Sequence, residues 1–133
     1  MSLPVTALYA GLLALYFVWL ATRVIKARRL YRVALGTGQH RLVERAMRAH
    51  GNFAENVPLA LLLLALAEMN GLPIWALHAL GVALVIGRVL HATGIAREPE
   101  EFRWRVIGMS LTFTMLIAAA AANLGLALAI LTS

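Results

Sequence analysis

The sequence predicts an all-α integral membrane protein: an up-down bundle of four transmembrane helices within one domain, residues 1–133. Three observations predict it. The chain is 62% hydrophobic with a mean hydropathy of +0.81, against roughly 45–50% apolar content in soluble domains. Its apolar residues fall in long runs without the alternation that a half-buried strand needs. Its 12 Lys and Arg gather in two blocks, residues 23–48 and 88–105, and leave both chain ends and the middle turn free of them.

The first helix is expected over about 3–24. Residues from Leu3 to Thr22 carry no charge, and about 20 residues at 1.5 Å each cross a hydrocarbon core of roughly 30 Å. No basic residue precedes this run and a basic cluster follows it, which favours an uncleaved helix over a signal peptide. The second helix is expected over 41–69. Its fully apolar part, Val57 to Ala67, is too short to span alone, so the helix must begin near Arg41 with its polar half shielded by protein or a water-filled cleft. Pro58 is expected to bend it and free the Ala54 carbonyl. Asn70-Gly71-Leu72-Pro73 reads as a tight turn. The third helix is expected over 73–95 and the fourth over 103–131, joined by a loop with Pro99, Glu98, Glu100 and Glu101.

Four crossings put loops 25–41 and 96–102 on one side. Those loops and the adjoining helix ends hold every Lys and Arg, so the positive-inside rule places them in the cytoplasm and both termini outside. The net charge of +6 and a pI near 11.1 therefore describe membrane topology and not a nucleic-acid face. The chain has no cysteine and no aspartate. A Ser-His-Asp triad is excluded, and any thiol must come from a ligand. No His-Glu-x-x-His spacing occurs, and no metal is expected. Gly36-Thr37-Gly38 is too short for a nucleotide loop.

Arg41, Arg45, Arg48, Asn52 and Glu55 recur at spacings of 4, 3, 4 and 3. At 3.6 residues per turn they fall within an arc of about 80° on one helix face. A charge at the bilayer centre costs at least roughly 2.5–3.5 kcal/mol, so such groups face a bundle interior or a cavity and pair with one another. Arg48 with Glu55, bridged by Asn52, is one such set. The same stripe also reads as a purely structural network; the number of ionisable groups at depth favours function. His50 lies on nearly the opposite face. Arg88 and His91 stand one turn apart toward the basic end of the third helix. Arg103 and Arg105 open the fourth helix, where the helix dipole and a guanidinium fork together suit an anion, although Arg103 also fits plain snorkelling.

The stretch Glu44-Arg-Ala-Met-Arg48-Ala-His50-Gly-Asn52-Phe-Ala-Glu55-Asn-Val-Pro58 resembles the second-helix signature of the MAPEG proteins, the membrane-associated proteins in eicosanoid and glutathione metabolism. Val24-Ile-Lys-Ala-Arg28-Arg29-Leu-Tyr-Arg32-Val33 is similar to the end of the first helix and basic loop of leukotriene-forming members. Gly87-Arg88-Val-Leu-His91 is similar to a third-helix motif of the prostaglandin-forming member. Glu68-Met-Asn-Gly71 and Phe102-Arg-Trp-Arg105-Val-Ile-Gly-Met109 resemble a bacterial inner-membrane branch.

The resemblance implies a homotrimer with glutathione, as co-substrate, held between subunits near the cytoplasmic face. It implies a binding set of Arg28, Arg48, His50, Asn52, Glu55 and His91, with Arg105 stabilising the thiolate. The expected activity is transfer of glutathione to, or reduction by it of, lipophilic electrophiles dissolved in the bilayer. Three departures stand out. The Arg-x-Pro-Leu-Tyr pattern of the fourth helix is replaced by Arg105-Val-Ile-Gly-Met109. Asn56 follows Glu55 where leukotriene-forming members have Tyr, and Ile95 stands where the prostaglandin-forming member has Tyr. They motivate an alternative, a non-catalytic membrane scaffold that binds lipid or glutathione. A channel on the same stripe fits poorly, because the outer halves of the helices are almost wholly apolar.

Overall fold

The computed structural model describes residues 2–132, which form four helices: α1 (Pro4–Tyr31), α2 (Arg41–Met69), α3 (Ile74–Ala96) and α4 (Phe102–Leu131). Each is long and apolar enough to cross a membrane. The all-α, four-helix expectation holds, and the observed bounds of α2, α3 and α4 lie within a residue of those read from the sequence.

α1 differs. It continues through Tyr31, past the expected end near residue 24, and the first loop is correspondingly shorter than 25–41. The residues that extend it, Ile25-Lys26-Ala27-Arg28-Arg29-Leu30-Tyr31, contain no Gly or Pro and are mostly strong helix formers. Arg28 and Arg29 lie in the last turn, where cations complement the helix dipole. At 28 residues the helix is about 42 Å long, longer than the roughly 30 Å thickness of a hydrocarbon core. It stops where Arg32 adopts a left-handed conformation, φ 54° and ψ 40°. The N–H groups of Arg32 and Val33 then cap the Arg29 and Arg28 carbonyls at 3.3 and 2.9 Å, which satisfies two otherwise orphaned acceptors. The turn between α2 and α3 uses the same device with Gly71 at φ 84°; Leu72 N–H donates to Ala67 O at 2.9 Å. α2 runs through Pro58 as one helix.

The helices pack in sequence order, with α2 also touching α4 and α3 also touching α1; among the described residues α1 and α4 do not meet. The core runs along one side of each helix and includes Leu13, Phe53, Leu64, Leu84 and Met115. The α3–α4 contact is the most extensive, and glycine makes it close. A Cβ at Gly87 would lie 2.9 Å from Gly108 O, and one at Gly94 would lie 2.6 Å from the Arg105 N. Small residues let transmembrane backbones approach in this way. α4 buries only a narrow seam, Gly108, Thr112, Met115 and Ala119. Partly buried residues flank this seam, among them Met109, Leu116 and Asn123, whose Nδ2 donates to Leu63 O of α2 at 2.9 Å.

At the end opposite the basic loops, Glu68 of α2 closes the start of α1. Its Oε1 and Oε2 accept from the N–H groups of Val5 and Thr6 at 2.9 and 2.7 Å. α1 has no capping side chain of its own, so a neighbouring helix satisfies the donors that every helix N-terminus leaves free.

Candidate functional site

The polar stripe of α2 divides between two directions. Arg45 and Asn52 lie on the edge turned toward α3. Arg45 Nη1 donates to the carbonyls of Ile95 and Arg97 at the end of α3. Asn52 Oδ1 accepts from Arg88 Nη1 at 2.6 Å. Arg48 and Glu55 lie on the outward edge and are exposed. The expected Arg48–Asn52–Glu55 set does not form. Seven residues separate Arg48 from Glu55, about 10 Å along the axis, and Asn52 between them is taken by Arg88.

Arg88 is the largest side chain in the bundle that is fully buried, at 1% exposure. Neutral acceptors surround it. Thr112 Oγ1 accepts from Nε at 3.0 Å and from Nη2 at 2.7 Å, and Met109 Sδ lies 3.2 Å from Nη2. Thr112 hands its own proton to Gly108 O at 2.9 Å, and Asn56 Nδ2 donates to Asn52 O at 2.8 Å. Among the described residues the ion pairs are Arg41–Glu98 and Arg105–Glu100. Among the described residues Arg88 has no carboxylate partner, so a full positive charge is held within a long apolar helix by dipoles alone. A buried charge is costly without such bonds.

Above this network, at the basic end, α2 and α4 enclose a polar cavity of about 310 Å³ lined by Arg41, Glu44, Arg45, Arg48, Ile95, Glu100 and Arg105. Two of the expected site residues, Arg48 and Arg105, meet here from different helices. The lining carries four arginines against two glutamates, a net cationic box in which a short anion with one ammonium group would find partners of both signs. Arg105 Nη1 is held by Glu100 Oε1 at 2.5 Å, which leaves its other N–H groups to donate. His91 is buried on α3, one turn from Arg88, and does not line the cavity.

The remaining expected residues stand elsewhere in the subunit. Arg28 ties the end of α1 to the loop and to α2, donating to Ala34 O at 3.0 Å and lying 3.3 Å from Met47 Sδ. His50 faces α1, stacked on Phe17 with ring centroids 4.5 Å apart, and its buried Nε2 has no hydrogen-bond partner. Periodicity alone had put His50 away from the stripe, and the structure places it there. Glu55 makes no ion pair or hydrogen bond among the described residues and lies open on the apolar exterior of α2.

Arg88, Thr112 and Met109 form the centre of the polar network, yet of these the sequence drew notice only to Arg88, through its spacing from His91. Thr112 gave a weak signal: a hydroxyl four residues after Gly108, where a small residue and a polar one share a helix face.

A four-helix bundle with a buried arginine network below a cationic cavity is an integral membrane protein with an intramembrane polar site. The chain belongs to the MAPEG family, whose model matches residues 6–125. It is 41% identical over 120 residues to the inner membrane protein YecN of Escherichia coli K12, an alignment that covers 90% of each chain. YecN of Escherichia coli O6:H1 matches with the same identity and coverage.

Proposed function

We propose that the cavity between α2 and α4 binds glutathione and presents its thiolate to lipophilic electrophiles that arrive through the bilayer. The observation that carries this reading is the convergence of Arg48 and Arg105 in one polar cavity, together with membership of a family named for glutathione metabolism. Glutathione is a net anion at neutral pH. Its carboxylates suit the arginines, and its ammonium suits Glu44 or Glu100. A free thiol with a pKa of about 8.5 is only a few per cent thiolate at neutral pH. A guanidinium at the helix N-terminus favours the anion, and each unit of lowering corresponds to about 1.4 kcal/mol. The thiolate sulfur then attacks the electrophilic carbon of an aryl halide. A carbon–sulfur bond forms and halide leaves with the bonding pair.

The exposed Glu55 supports assembly into a homotrimer. An unpaired carboxylate on an apolar span is costly against lipid, and a second copy packed over this face of α2 would cover it. The positive-inside rule puts both basic loops in the cytoplasm.

Purified protein assayed with glutathione and a general aryl halide tests the reading. Turnover is expected for wild type and a large loss for Arg105→Ala. Equal rates for wild type, the variant and buffer would remove the enzymatic role. A second reading, a binding protein without turnover, draws on the lack of tyrosine in the cavity and the Arg105–Glu100 pair. Calorimetric binding of glutathione with no conjugate formed would favour it.

A further inference from the structure

Next to this cavity, on the side of α2 turned toward α1 and with Arg45 common to both, the basic end of the bundle holds a second groove, between α1, α2 and α3. It comprises two contiguous cavities of about 410 and 290 Å³ that share Trp19, Arg23, Ala46 and Ala96. The sequence explains the gap. α1 and α3 touch at the other end, where the Tyr9 ring lies on Gly81 and its hydroxyl meets His78 Nδ1 at 2.9 Å. Toward the basic end the residues between them shrink to Ala46, Ala49, Ala92 and Ala96, which cannot fill the space.

The chemistry of the groove changes with depth. Its mouth carries Arg23, Lys26, Arg45 and Arg97, and no carboxylate lines either cavity. Arg45 is engaged with α3 carbonyls. Arg23, Lys26 and Arg97 have no ion-pair partner among the described residues. The floor is apolar, made of Leu20 and the alanines. Trp19 marks the boundary: it is 46% exposed, stacks on Tyr16 with centroids 5.3 Å apart, and carries the Arg23 guanidinium 4.9 Å above its ring. Tryptophan favours the level of the headgroups.

We propose that this groove is a binding site for an anionic phospholipid of the surrounding bilayer, its phosphate between Arg23, Lys26 and Arg97 and the upper part of one acyl chain along Trp19 and the alanine floor. A soluble anion would use the cations but not the floor. A zwitterionic lipid would use the floor but bring its own ammonium against three free cations. Basic pockets between transmembrane helices bind acidic headgroups in this manner, and each cation near the surface adds about a fivefold preference. The groove shares Arg45 with the glutathione cavity but its phosphate cations line the groove alone, so the proposal stands whether or not that reading holds.

The experiment uses the full chain in lipid nanodiscs with Trp75 and Trp104 changed to Phe, leaving Trp19 as the reporter. Phosphatidylglycerol or phosphatidylcholine with brominated acyl chains is added at equal mole fraction. The expected result is enrichment of phosphatidylglycerol beside Trp19 by about a hundredfold, read as stronger fluorescence quenching and unchanged by millimolar inorganic phosphate. Arg23→Gln with Lys26→Gln, both at exposed positions, is expected to cut the preference to about fivefold, the share of Arg97. Arg32→Gln with Arg103→Gln, outside the groove, is expected to keep it. Equal quenching by the two lipids would overturn the proposal. Displacement by free phosphate, or loss of preference in both double variants, would also overturn it, since these would indicate a soluble-anion site or the bulk surface potential.

Discussion

Arg88 Nη1 donates to Asn52 Oδ1 at 2.6 Å, joining α3 to α2 through a buried cation whose acceptors are all neutral. The bond makes Asn52 a structural partner as well as a member of the polar stripe. Asn52→Leu leaves Arg88 short of an acceptor and is expected to destabilise the bundle by about 1–3 kcal/mol. Combining it with Arg88→Met should cost less than the sum of the two single changes, with a coupling of about 0.5–3 kcal/mol. Unfolding in detergent micelles measures this. Strict additivity would show that the two side chains do not interact.

Gly108 holds α4 against α3. A Cβ there would press on the backbone of Gly87 and His91, which has no soft direction in which to yield. Gly108→Ala is expected to cost about 1–3 kcal/mol and to shift Arg105 relative to Arg48, so glutathione affinity should fall with stability. Gly125 meets nothing within 4 Å. Gly125→Ala is expected to be neutral or stabilising by up to about 1 kcal/mol, from helix propensity alone. Thermal unfolding of both variants checks the contrast.

Glu68 caps α1 from another helix, so its loss should be felt at the far end of the bundle from the site. Glu68→Ala is expected to cost about 0.5–2 kcal/mol, the usual range for a lost N-cap, and Glu68→Gln less. Hydrogen exchange at the Val5 and Thr6 amides should quicken in Glu68→Ala while exchange near Arg88 stays unchanged.

Much of this architecture was legible in the sequence. Hydropathy located four spans because lipid exposure demands long apolar runs, and Gly71 and the Pro73 turn marked one boundary sharply. The end of α1 was not legible from hydropathy, since Arg28 and Arg29 leave the hydrocarbon without leaving the helix. Periodicity found the α2 stripe but not its division, because an arc that wide faces both α3 and the exterior. That Asn52 serves Arg88 and that Glu68 serves Thr6, 62 residues away, depends on which helices become neighbours. No local pattern reports that.

Within the cavity, Arg48 and Arg105 are expected to act differently. Arg48→Gln removes a charge-assisted contact to the peptide and should weaken glutathione binding about tenfold or more. Arg105→Gln should chiefly lower kcat, because its effect falls on the sulfur. Arg103 lines no part of the cavity, and Arg103→Gln should leave both parameters near wild type. Steady-state kinetics with glutathione varied separates the three.

The most direct measurement is the ultraviolet absorbance of glutathione thiolate, followed as glutathione is added to the purified protein at neutral pH. A saturable thiolate signal with wild type is expected, lost in Arg105→Gln although calorimetry still detects binding. A wild-type spectrum identical to that of glutathione in buffer, with the protein saturated, would contradict the assignment of this cavity as a site that ionises the thiol.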